Sequence, residues 1–181
     1  MPENRSGKVS EWGKVEYSGV KWSAWPSTRR SEVNPDVSNF FGTYTPRLDD
    51  KGRLFLPAKF RPRLETGIVL TSGQENCIYG WTTEAFNEFT DRIRSTPFTN
   101  QAARNFSRMF FSGASSEVPD KQGRISVPAV LRTWAQLDKE CTVVGAMDRI
   151  EIWDSGRWDE FSALQEGPFA DMSEEVMPGI F

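Results

Sequence analysis

Histidine is missing altogether from the 181 residues of the chain. That removes the commonest general acid–base group and the usual partner of a serine or cysteine nucleophile. Cysteine is nearly as scarce. Cys77 and Cys141 stand apart, without Cys-x-x-Cys spacing and without histidines that could share a metal. They read as small buried hydrophobes in strands, and no cofactor or metal is expected. No apolar run approaches the roughly 20 residues of a membrane span. The first residues also lack the charged-then-apolar pattern of a secretory signal. No membrane partner and a cytoplasmic location are the corresponding expectations. A strong charge of either sign is lacking too, since 22 Lys and Arg face 25 Asp and Glu for a net charge of −3. This balance argues against a uniformly basic nucleic-acid binder and leaves room for a local basic patch. The length suits one medium domain or two small ones.

What is present is a repeat. Leu48-Asp49-Asp50-Lys51-Gly52-Arg53-Leu54-Phe55-Leu56-Pro57 returns, altered, as Val118-Pro119-Asp120-Lys121-Gln122-Gly123-Arg124-Ile125-Ser126-Val127-Pro128. Asp49, Gly52, Arg53 and Pro57 match Asp120, Gly123, Arg124 and Pro128 at a constant offset, and Ala58 and Arg61 match Ala129 and Arg132. Asp at the first and Gly at the fourth position fit a type I turn, and that glycine also suits the positive φ of a bulged hairpin. After each turn the pattern alternates. Leu54 and Leu56, like Ile125 and Val127, are expected inward; Arg53 and Phe55, like Arg124 and Ser126, outward.

Around the repeat the chain reads in order. Residues 1–38 are polar and interrupted by Pro and Gly, with Trp12, Trp22 and Trp25 on no sustained period; a disordered extension is expected, with a start nearer Val37 or Ser38 as a further reading. A strand runs from Phe40 to Leu48. Pro57 and Pro128 each stand where a helix would begin, the first helix cut short by Pro62 and the second running from Ala129 to about Leu137 with Val130, Leu131 and Trp134 as its apolar face. Strands follow at Gly67–Thr71 and Cys77–Trp81, and in the second copy at Cys141–Ala146 and Ile150–Trp153. Trp81, Phe86 and Phe89 match Trp153, Trp158 and Phe161 with the offset raised by one, which a single inserted residue explains. Each half thus ends in a helix, the first capped by Thr82 or Thr83 and lined by Phe86, Phe89 and Ile93. Thr99 to Phe111 reads as a linking helix whose apolar face packs on the body of the protein or on a neighbouring subunit.

The motif Phe41-Gly42-Thr43-Tyr44 … Leu48-Asp49-Asp50-Lys51-Gly52-Arg53-Leu54 … Pro57-Ala58-Lys59-Phe60-Arg61, its second copy, and Ile150-Glu151-Ile152-Trp153-Asp154 together resemble the MraZ family over about Phe40 to Phe161. The resemblance implies a mainly β fold with helices (α+β), built from two tandem AbrB-like swapped-hairpin modules forming a pseudo-twofold β-barrel. It implies modules at 43–85 and 114–157, a helical linker at 86–113, and a C-terminal helix and acidic tail at 158–181. It further implies a bacterial transcriptional regulator, chiefly a repressor, that binds repeated DNA elements upstream of its own division and cell-wall gene cluster. Ring-like homo-oligomers, association with the nucleoid, and no small-molecule substrate belong to the same expectation. The family's Asp-x-x-x-Arg signature falls on Asp49/Arg53 and Asp120/Arg124.

The charge distribution fits a DNA contact. Arg47, Lys51, Arg53, Lys59, Arg61 and Arg63 face only Asp49 and Asp50, while Lys121, Arg124 and Arg132 face Asp120. Such a patch can neutralise phosphates, and Arg on a two-stranded ribbon can pair with guanine in the major groove. The expected DNA-contacting residues are Arg47, Lys51, Arg53, Lys121 and Arg124. Asp49, Gly52, Asp120 and Gly123 are expected to shape the turns. Lys59, Arg61 and Arg63 read equally as a solvated helix face. Two other function classes compete. One is an AbrB-type assembly module without specific DNA binding, its basic loops pairing with acidic tails. The other is an enzyme using Asp49 and Asp120 as a carboxylate pair, disfavoured because each aspartate has a nearby cation and a turn position to explain it.

Overall fold

The computed structural model of the chain describes residues 39–95 and 99–169. The expectations for 1–38 and for the acidic tail past residue 169 fall outside them. The first half contributes β1 (Phe40–Tyr44), β2 (Arg53–Phe55), α1 (Arg61–Leu64), β3 (Ile68–Ser72), β4 (Ile78–Trp81) and α2 (Thr83–Arg94). After α3 (Gln101–Ser112) come β5 (Ser115–Glu117), β6 (Arg124–Ser126), α4 (Ala129–Trp134), β7 (Cys141–Met147), β8 (Arg149–Asp154) and α5 (Ser155–Glu166). The fold is mixed α+β. Among the described residues, six strands form one antiparallel order, β1-β7-β8-β4-β3-β5, and β2 and β6 form a separate two-stranded ladder.

The two halves are interlaced strand by strand. β2 pairs with β6 so that Leu54 faces Ile125, its own counterpart in the repeat. β4 pairs with β8 with Ile78 opposite Ile152 and Gly80 opposite Ile150, a register that exchanging the halves maps onto itself. The outer pairs obey the same exchange: Tyr44 faces Val143, and Ser115 faces Leu70. Inward positions therefore fill one shared core. Leu54, Leu56, Phe60, Leu64, Ile68, Leu70 and Ile78 meet Ile125, Val127, Leu131, Ala135, Cys141, Val143 and Ile150 in a single cluster. Burial on this scale, not local propensity, holds strands as short as β2 and β6 in place.

Several sequence expectations need correction. The first strand stops at Tyr44, and beyond it Arg47 and Leu48 make only isolated bridges to Glu140 and Leu54. Pro57 opens a turn closed by Phe60 N–H onto its carbonyl, and the helix starts at Arg61. Pro62 lies in the first turn of that helix, where its missing N–H is not needed, so it does not interrupt the helix. α4 ends at Trp134, because the chain turns away through Gln136 at φ +50. Its buried residues are Leu131 and the following Ala135, whereas Val130 is exposed. The one-residue shift in the repeat also has two parts. Five residues separate Ala135 from Cys141 where three separate Leu64 from Ile68, and four residues lie between the paired Gly145 and Ile150 where five lie between the equivalent Ser72 and Ile78.

The helices after each half are equivalent in packing. Trp81 stacks on Phe89 at 5.1 Å and Trp153 lies 5.0 Å from Phe161. Thr82 caps α2 by accepting from Ala85 N–H, and Asp154 caps α5. α3 leans on α2 through Phe110 and Phe111, against Phe89 and Phe86. Phe106 and Met109, on the same stretch of helix, remain exposed. No described helix is long and apolar enough to cross a membrane.

Candidate nucleic-acid interface

Both repeated turns close in the same way. Gly52 N–H donates to Asp49 O and Asp49 N–H to Arg53 O, each at 2.8 Å; Gly123, Asp120 and Arg124 repeat both bonds at 2.8 Å. The glycines stand at φ +73 and +74, a region costly for residues with a Cβ. One carboxylate oxygen of Asp49 accepts from Lys51 N–H and Arg53 N–H, and Asp120 does the same for Gln122 and Arg124. The other oxygen accepts from the arginine of its own turn, Arg53 Nε at 2.8 Å and Arg124 Nε at 2.8 Å. These bonds hold both carboxyls below their usual range. The arginine side-chain bond is the largest cause, and Asp120 comes down to about 2. The two aspartates are thus turn anchors at opposite ends of the β2·β6 ladder, not a shared proton-transfer pair.

Each turn also leans on an arginine from the other half. Arg132 Nε donates to Val127 O, and its guanidinium would lie 2.9 Å from any Cβ at Gly52. Arg61 Nε donates to Leu56 O, and its side chain would lie 2.5 Å from a Cβ at Gly123. Reciprocal backbone bonds, Leu56 N–H to Gly123 O and Val127 N–H to Gly52 O, complete the exchange. Arg61 is therefore a structural clamp, not part of a solvated helix face. Arg63 is fixed as well: it covers the Phe40 ring at 4.2 Å, and burial pushes its pKa down. The sequence signal for the clamp was the repetition of Arg61 as Arg132, at the same offset as the turn motif itself.

The turns frame a ribbon with two unlike faces. Leu54, Leu56, Ile125 and Val127 are almost wholly buried on one side. Arg53, Phe55, Arg124 and Ser126 lie on the other, with Arg53 opposite Ser126 and Phe55 opposite Arg124. From Gly52 to Leu56 the ladder extends four residue steps, about 13 Å. Lys51 and Lys121 are exposed at the turn tips, with no ion-pair partner among the described residues. The tips differ in order. Lys51 takes the place of Gln122, but Lys121 takes the place of Asp50, so each turn carries one lysine and only the first carries a second acid. Asp50 lies 3.4 Å from Lys139. Arg47 is ion-paired with Glu140, its Nε 2.7 Å from the carboxylate.

The arrangement offers a narrow cationic surface about as long as a major groove is wide, which is about 12 Å. Each Asp-bound arginine has Nη hydrogens left over for an acceptor on a partner, because a guanidinium carries five donors. No cluster of three or more metal-ligating side chains occurs among the described residues. Sequence reasoning pointed Phe55 outward without assigning it any role.

Comparisons with known proteins agree with one another. The family model described as "MraZ protein, putative antitoxin-like" matches twice, over residues 39–109 and 110–177. A "Transcriptional regulator MraZ" of Clavibacter michiganensis subsp. michiganensis is 56% identical over 142 residues, covering 78% of this chain and 99% of that protein. Proteins of the same description from Parafrankia sp. and Micrococcus luteus are 56% and 54% identical, again over 78% of this chain and 99% of their own length.

Proposed function

This chain belongs to the MraZ family, and from that premise we propose that it is a DNA-binding transcriptional regulator whose β2·β6 ribbon and flanking turns form the contact surface. One observation carries the reading: a two-stranded ribbon, cationic on its outward face, with an exposed lysine at each end. Lys51 and Lys121 contact phosphates, releasing counterions and making affinity fall with salt. Arg53 and Arg124, held in fixed rotamers by Asp49 and Asp120, present their remaining donors to base edges. Arg47 assists from the flank once its exposed pair with Glu140 gives way to phosphate. Asp49, Gly52, Asp120 and Gly123 shape the turns. The swapped-hairpin, pseudo-twofold barrel that the family implies fits the interlaced registers and belongs to the same proposal.

The finer reading is a repressor, located in the cytoplasm and on the nucleoid, that binds repeats upstream of its own division and cell-wall gene cluster. Few contacts per subunit favour several subunits engaging several repeats, since avidity then replaces single-site affinity. A ring-like homo-oligomer supplies this. In support, a cleft of about 590 Å³ lined by Trp81, Phe89, Phe106, Met109, Phe110 and Trp134 lies open beside α3. α3 carries Arg104 and Arg108 and no acid, whereas α5 carries Asp159, Glu160 and Glu166 against Arg157. α3 of one copy and α5 of the next are therefore electrostatically matched.

The same cleft favours the alternative, an assembly module without specific DNA binding. Mobility shifts at fixed low salt separate the two. The regulator binds a duplex from upstream of its own gene in preference to a random duplex of equal length, and footprinting locates the protected repeats. Equal binding to both duplexes, or none, sinks the regulator and leaves the assembly module.

A further inference from the structure

The ribbon is twofold in backbone and in most of its side chains, but one outward position breaks the symmetry. Phe55 and Ser126 are counterparts in the repeat, at the same offset as Arg53 and Arg124. Their partners across the ladder, Arg124 and Arg53, are also counterparts. Exchanging the halves would therefore superpose a phenyl ring on a hydroxymethyl group. The ring adds nothing to the core, because Leu54 and Leu56 fill the inward positions on either side of it and Phe55 itself is 41% exposed. Among the described residues its ring contact is Arg124, whose guanidinium carbon lies 5.7 Å from the centroid, near the outer limit of about 6 Å for a cation–π interaction. A bare phenyl ring is thus held in the middle of a cationic face.

On the DNA-binding reading, we propose that Phe55 contacts the C5-methyl group of a thymine in the major groove, and that this contact gives the otherwise twofold ribbon a direction. The thymine methyl is the apolar group that a major-groove edge offers, and an aromatic ring is among the side chains that match it. The surrounding cations commit the face to a polyanion: Arg124 lies across from Phe55, Arg53 shares its strand face, and Lys51 and Lys121 mark the two ends. At the related position Ser126 can accept or donate a hydrogen bond but covers no methyl group. The bound element is then unlike in its two halves, with one thymine that matters on the Phe55 side. An element repeated head to tail suits such a reader, whereas a perfect palindrome would leave one half mismatched.

Replacing single thymines by uracil tests this, because the substitution removes the methyl group and keeps the pairing. Duplexes from upstream of the protein's own gene, each with one replacement, are titrated at fixed salt against the full chain. The wild type is expected to lose about fourfold in affinity at one thymine per element, the worth of one buried methyl group. Phe55→Ser should bind more weakly and show a flat profile across the replacements. Ser126→Phe should gain sensitivity at a second, symmetry-related thymine. Phe55 is exposed, so both variants should keep the wild-type circular dichroism and melting behaviour. Preference for the upstream DNA with a flat wild-type uracil profile overturns this proposal alone, as does an unchanged profile in Phe55→Ser. Loss of all preference for upstream DNA in the wild type overturns the DNA-binding reading and this proposal together.

Discussion

A glycine and an aspartate decide each turn. Gly123 sits at φ +74 with Arg61 where a Cβ would go. Gly123→Ala is expected to lose about 1–2 kcal/mol from backbone strain, plus whatever moving Arg61 costs; urea unfolding checks it. Asp120 gives a prediction in pH. Its carboxyl is lowered from 3.8 to about 2, mainly by the Arg124 side-chain bond. The folded state therefore binds this proton less readily than the unfolded chain. The stabilisation is fully present above pH 3.8 and is lost as pH falls through 2. Asp120→Asn should show a shallower decline in urea midpoint across that window than the wild type; parallel curves would remove the bond's role. The two thiols are shifted the opposite way. Burial pushes Cys77 up strongly and Cys141 to about 12, so neither is a nucleophile near neutral pH.

On the proposed reading the ribbon is the element on which binding turns, and its two arginines are not equally exposed. The sequence pointed to a denser cationic patch around Arg53. In the fold that patch thins out, because Arg47 pairs with Glu140 and Arg61 and Arg63 are folded inward. Exposure separates the two arginines instead. The Arg53 side chain is 32% exposed and that of Arg124 18%, so Arg53 reaches a partner more readily. Arg53→Ala should weaken specific binding more than Arg124→Ala in a titration at fixed salt; the reverse order would count against exposure as the deciding factor. Lys51→Ala and Lys121→Ala should each lower affinity for all sequences alike and reduce the salt dependence by roughly one phosphate contact.

At the scale of the molecule, the open cleft beside α3 leaves aromatic and methionine side chains uncovered. Met109 is 64% exposed at its rim and Phe106 46%. Met109→Glu adds a charge there without touching the core. It is expected to shift the protein to smaller species in sedimentation velocity and to weaken binding to multi-repeat DNA more than to a single repeat. Unchanged sedimentation would place any subunit interface elsewhere.

The repeat itself was legible from residue identities alone, as were the turn type, the inward and outward alternation of β2 and β6, and the matched aromatic helices after each half. These are local properties, set by φ preference, a two-residue period and a cap. The sequence did not disclose which half each strand would pair with. It marked Arg61 and Arg132 as a repeated pair, but did not show that each would clamp the opposite turn, or that Val130 would face solvent while Ala135 closed the core. Nor did it show that most of the first basic patch would be neutralised or buried. Those outcomes depend on partners far away in the chain, chosen by burying one shared core between two interlaced halves. The charged turns were written in the sequence; which of their charges remain available to a partner was decided by the tertiary structure.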